Sequence, residues 1–113
     1  MVTPTAHITH KRGDTLDLLA PIPDIFADGY FVGWVVTAQI RTAQYGRLIA
    51  DLTCTWEDDV TTRILHVKDF DTEDWEIGSA EMDIQFTRTS DDYTMSTQTL
   101  KVNIVKDITR QEI

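Results

Sequence analysis

Alternation of apolar and polar residues with a period of two recurs along most of this chain, a rhythm that a half-buried β-strand sorts onto two faces. In Leu48 to Trp56 the apolar set is Leu48, Ala50, Leu52, Cys54 and Trp56, while Asp51, Thr53 and Thr55 point the other way. A helix would mix the two sets on one surface. Ala80, Met82, Ile84 and Phe86 alternate in the same manner with Glu81, Asp83, Gln85 and Thr87 within Ser79 to Arg88. Val36, Ala38 and Ile40 do so against Thr37, Gln39 and Arg41, and Leu100, Val102 and Ile104 against Lys101 and Asn103. Leu16 and Leu18 alternate with Thr15 and Asp17, whereas Thr61 to Val67 is richer in apolar residues and leaves its register open. About six strands are expected, with Ala6 to His10 as a seventh.

Turn formers separate these segments: Lys11-Arg12-Gly13-Asp14, Pro21 to Asp24 with Asp28-Gly29, Tyr45-Gly46, Glu57-Asp58-Asp59 and Ser90-Asp91-Asp92. Punctuation at such short intervals predicts an all-β antiparallel sandwich or barrel rather than βαβ units. Asp69 to Glu76 departs from the pattern. Its acidic run Asp71, Thr72, Glu73 and Asp74 before Trp75 suits a single short helical turn near residues 70–76, crossing between sheets.

With 113 residues the chain is sized for one domain, residues 1–113, and one core. The formal net charge of −9 argues against nucleic acid as the main partner, because phosphate binding needs clustered Lys and Arg. An anionic membrane surface is disfavoured for the same reason. The longest apolar stretch, Phe31 to Ala38, is broken by Gly33 and too short to cross a bilayer. Met1 to Arg12 has no apolar signal-peptide core, which points to synthesis in a cytoplasm. Cys54, the single cysteine, reads as a small core residue rather than a nucleophile.

No pattern of residues points to catalysis, and no catalytic residue or cofactor is expected. His7 and His10 would leave a strand on opposite faces, and with His66 they lack the companions of a zinc site, so no metal is expected. The acidic clusters lack the spaced carboxylates of an EF-hand loop and read as solvated turns. There is no Gly-x-Ser-x-Gly elbow and no glycine-rich phosphate loop. Arg12-Gly13-Asp14 matches an integrin tripeptide but forms a turn more simply. Aromatic residues carry the remaining interest. Trp56 lies on the inward register, and Trp34 shares the register of Val36 and Ala38, yet Tyr30 to Val35 is apolar on both faces. Part of that surface is expected to be exposed and to meet a neighbour, with Phe31, Trp34 and Trp75 as the contact residues.

Taken in order, several segments resemble small tail-associated domains of tailed bacteriophages, similar to the immunoglobulin-like N-terminal modules of baseplate upper proteins. The resembling residues are Lys11-Arg12-Gly13-Asp14-Thr15, Val36 to Arg41, Asp71 to Asp74 leading to Ile77-Gly78, Ala80 to Gln85, Leu100 to Val105, and Asp107 to Arg110. Pro21-Ile22-Pro23-Asp24 and the bulky Tyr30 to Trp34 depart from that pattern. The resemblance implies an immunoglobulin-like sandwich of six to seven strands in a virion structural protein of the tail or baseplate. It implies no catalysis, partners among other virion proteins or further copies of the chain, and a place in the virion after synthesis in the host cytoplasm. A second reading is a carbohydrate-binding or adhesion-type sandwich that uses exposed aromatic rings.

Overall fold

A computed structural model describes residues 7–106, which form eight strands and no helix. They are β1 (His7–Lys11), β2 (Leu16–Pro21), β3 (Val35–Thr42), β4 (Leu48–Trp56), β5 (Ile64–Asp69), β6 (Gly78–Arg88), β7 (Tyr93–Ser96) and β8 (Leu100–Val105). Ala6 and Asp107 to Arg110, which the sequence assigns to the first strand and to the closing motif, lie outside the described residues.

The hydrogen-bonded order is β1-β8-β6-β3-β4-β5-β2, with β7 also on β6. Seven neighbours thus form one mixed sheet, rolled until its inward side chains meet in a single core. The alternating segments supply that core as their rhythm requires. Ala80, Met82, Ile84 and Phe86 from β6 meet Ala38 and Ile40 from β3, Leu52 from β4, Leu65 and Val67 from β5, and Val102 and Ile104 from β8. The ambiguous stretch at 61–67 resolves into β5, with Leu65 and Val67 fully buried.

Strand β4 serves two neighbours in turn. Its first half pairs with β3, Leu52 opposite Ala38, and its second half with β5, Cys54 opposite Val67. A bulge near Arg41, where Leu48 rather than Ile49 becomes the partner, adds twist at the start of this strand. Strands β7 and β8 both lie on one edge of β6. Gln85 faces Ser96, but Met82 faces Leu100, so the register slips by one residue between them.

Three features correct the reading of the sequence. The sheet is mixed, because β1 runs parallel to β8 from His7 beside Lys101 to Lys11 beside Val105. Residues 70–76 form a turn rather than a helical one, closed by Trp75 N–H donating to the Thr72 carbonyl. The acidic side chains there are exposed, and Thr72 and Trp75 point inward instead. The third is β7, Tyr93-Thr94-Met95-Ser96, whose two apolar residues are too few to announce a strand and of which only Met95 packs against the core.

At this end of the molecule one hydroxyl joins two distant turns. Thr72 Oγ1 accepts from the Gly13 N–H at 2.9 Å and donates to the Asp14 carbonyl at 2.6 Å. With its only proton committed, it can meet His10 Nε2, 3.2 Å away, only as an acceptor, so that nitrogen carries a hydrogen. The His10 ring lies 5.2 Å from Trp75, which closes the core beneath. Edge strand β2 carries Asp17 and Pro21, residues that discourage edge-to-edge pairing.

Candidate functional site

Three connections converge at the opposite end: residues 22–34 between β2 and β3, 57–63 between β4 and β5, and 89–92 at the tip joining β6 to β7. A connection of the first one's length is uncommon without regular structure of its own, and such loops are often functional. This one is fixed by a chain of tight turns, with Phe26, Tyr30, Val32 and Trp34 donating their N–H groups to the carbonyls of Pro23, Ala27, Gly29 and Phe31. The second loop braces it. Gly29 N–H donates to the Thr61 carbonyl at 2.7 Å, and Arg63 spans the gap, its two terminal nitrogens donating to the carbonyls of Phe26 and Ile22 at 2.6 and 2.8 Å. Arg63 also faces Asp24 and Asp28 at 3.4 and 3.5 Å.

Thr62 carries the strain of this arrangement. A β-branched residue at φ 48° in the left-handed region is an outlier that costs on the order of 1–3 kcal/mol. Two hydrogen bonds hold it there. Its N–H donates to the Asp58 carbonyl at 2.9 Å, and its buried Oγ1 accepts from the Phe31 N–H at 3.4 Å. Gly29 is needed for a related reason, since it sits at φ 77° and a Cβ there would come within 3.1 Å of the Val60 carbonyl oxygen.

Inside this frame Phe31 is the anchor. Fully buried, it lies 5.0 Å from Trp34, 6.2 Å from Trp56 and 4.7 Å from Phe86 between ring centroids. Above it the rings of Tyr30, Trp34 and Tyr93 continue to the surface, Tyr30 at 5.7 Å and Tyr93 at 6.3 Å from Trp34. The guanidinium of Arg88 lies over two of these rings, 5.6 Å from Trp34 and 5.0 Å from Tyr93. Asp91 receives it with both oxygens at 2.9 and 2.7 Å. That hydrogen bond, with a second from the Tyr93 N–H, holds the Asp91 carboxyl down at about 2, and the same pairing raises Arg88.

Of the residues expected to meet a partner, the structure places only Trp34 near the surface. Phe31 has no exposed side chain, and Trp75 is 3% exposed at the other end of the barrel, so the loop end and Trp75 are not brought together. Sequence reasoning passed over Tyr30, Tyr93, Thr62 and Arg63. Tyr30 belongs to the stretch apolar on both faces, which located the surface without sorting its rings. Tyr93 sits behind an acidic turn that drew attention to the turn alone. Nothing in a linear sequence marks Thr62 as strained or Arg63 as a brace.

The remaining candidates are dispersed. His7 is exposed and His10 buried, on opposite faces of β1, and His66 lies on β5 with Nε2 3.8 Å from Glu57. Among the described residues no three His, Cys, Asp or Glu side chains are grouped to hold a metal ion, and no helix is long and apolar enough to cross a membrane. Cys54 is half-buried, and burial pushes its thiol up to about 11, away from the range of a nucleophile. A cavity of about 220 Å³ opens between β2 and the β6–β8 side, lined by Ile8, Leu18, Ala20, Met82, Ile84 and Leu100. It is mainly apolar, with Asp83 and Thr97 as the polar residues of its lining. The sequence matches no protein-family model and no curated protein.

Proposed function

We propose that this chain is a non-catalytic, immunoglobulin-like assembly module of a phage or prophage virion, contributing to a tail or baseplate through protein–protein contacts at its loop end. The observation that carries the contact role is the clustering of exposed apolar side chains. Of the eleven large hydrophobic residues exposed among the described residues, six belong to this end: Ile25, Tyr30, Val32, Val35, Val60 and Tyr93. Single exposed apolar residues need no explanation, but several gathered at one end mark an interaction surface.

Strand pairing supports the immunoglobulin-like reading. The pairs β2–β5, β5–β4, β3–β6 and β6–β8 correspond to B–E, E–D, C–F and F–G of such a sandwich. Strand β4 does the work of two strands, beside β3 at its start and beside β5 at its end. On this assignment residues 22–34 are the B–C connection and 89–92 lie within the F–G connection, two connections that share one end of the sandwich and carry recognition in variable domains. The virion assignment is supported by the resemblance of the segments from Lys11 to Val105 to phage tail-associated modules.

Purified particles test this directly. From a culture producing the phage or prophage that encodes the chain, it should sediment with tails or complete virions and survive washing at physiological salt. Its absence from every particle fraction, in cells that contain it free, overturns the virion role. Saturable glycan binding lost in Trp34→Ala would favour the carbohydrate reading instead.

A further inference from the structure

We propose that the loop end docks a cationic, apolar-bearing segment of a partner protein rather than a second copy of this chain, an inference that rests on the assembly reading above and names the partner's chemistry. Residues 22–34, 57–63 and 88–93 carry seven carboxylates, Asp24, Asp28, Glu57, Asp58, Asp59, Asp91 and Asp92, against two arginines. Both arginines are already engaged, Arg63 by backbone carbonyls and Asp24, and Arg88 by Asp91. Carboxylates therefore outnumber cations at the rim of the loop end. A second copy, itself at a net charge of −9, would bring like charge against like, whereas Lys or Arg on a partner would be steered in and paired at the rim.

The surface already shows how it receives a guanidinium. Arg88 lies against the rings of Trp34 and Tyr93 and is gripped by two oxygens of Asp91. Tyr30, 42% exposed and 5.7 Å from Trp34, extends the same aromatic surface. An incoming arginine would find there the two kinds of group that hold Arg88, a ring face and a carboxylate.

The frame is also set before any partner arrives. Turn hydrogen bonds, the Arg63 brace and the strained Thr62 fix the loops in one conformation, so docking need not order them and their exposed side chains stay presented.

Panning a random peptide library against the intact folded chain, then mapping the selected peptide by amide chemical shifts, tests the proposal. Selected sequences should combine Arg or Lys with aromatic or aliphatic residues, and shifts should be confined to 22–34, 57–63 and 88–93. Binding should weaken with added salt, and the triple variant Glu57→Gln/Asp58→Asn/Asp59→Asn should lose about tenfold in affinity, mainly through slower association. That variant keeps side-chain acceptors and is checked for an unchanged thermal midpoint. Selection of acidic or neutral peptides, shifts along β1 or β2, a salt-independent affinity, or no selection above background overturns the cationic partner. Sedimentation with particles is read separately, so the assembly reading can stand while this inference fails.

Discussion

Replacing Thr72 by Val keeps the shape of a fully buried side chain and removes the one oxygen that joins the β1–β2 turn to the β5–β6 turn. Three partners lose their contact: the Gly13 N–H, the Asp14 carbonyl and the Nε2–H of His10. Gly13 and Asp14 are exposed, so water restores much of what they lose. His10 is 7% exposed, and its nitrogen has no substitute. An orphaned buried donor costs about 1–3 kcal/mol and each partly rehydrated bond about 0.5 kcal/mol, which places the variant about 2–4 kcal/mol below the parent. In urea, with a slope of about 2 kcal/mol/M for a chain of this size, the midpoint should fall by roughly 1–2 M. Thr72→Ser keeps the oxygen and loses one methyl group, at about 1 kcal/mol. Equilibrium unfolding followed by tryptophan fluorescence should therefore rank the parent above Ser and Ser above Val. A Val variant as stable as the parent, or more stable than Ser, refutes the role assigned to the hydroxyl.

Other outcomes follow from the loop end and the core. Phe31→Ala should cost about 3–5 kcal/mol in urea unfolding, because it empties the site between Trp34, Trp56 and Phe86, while half-exposed Tyr93→Ala should cost under about 1 kcal/mol. Asp91, held at about 2 against an ordinary 3.8, favours the folded hairpin tip above pH 3.8 and loses that preference as pH falls through 2. Carboxyl chemical shifts should give a midpoint near 2, returning toward the ordinary value in Arg88→Met; a midpoint of 3.8 in the parent excludes the pairing. For Cys54 the sign is opposite. Its thiol, raised to about 11 from 9.0, favours folding below pH 9.0 and loses that preference as pH rises through 11, so native protein at pH 8 should react slowly with a thiol reagent and unfolded protein quickly.

Much of the barrel is legible in the sequence because its strands are buried on one face. The rhythm of Leu48 to Trp56 and of Ala80 to Phe86 gives both the element and its inward side, and the structure places Leu52, Met82, Ile84 and Phe86 in the core accordingly. Strand direction leaves no such trace. The residues of β1 alternate identically whether β8 runs with them or against them, so the parallel pair could not be read. Strand β7 is four residues long with only Met95 half-buried, too short for its alternation to stand out. Around Thr72 the acidic neighbours resemble a helix start, but the decisive interaction is a buried hydroxyl reaching residues 58 and 59 positions away along the chain. The same limit applies at the loop end. Five apolar residues among 30–35 signal a surface, whereas the burial of Phe31 and the half-exposure of Trp34 depend on Trp56 and Phe86, which arrive from other strands.

Hydrogen exchange of the chain free and incorporated in purified particles addresses the contact role most directly. Docking through the loop end should slow exchange in 22–34, 57–63 and 88–93 and leave the β1 and β2 edges unchanged. Slowing confined to those edges, or no difference between free and incorporated chain, would contradict it.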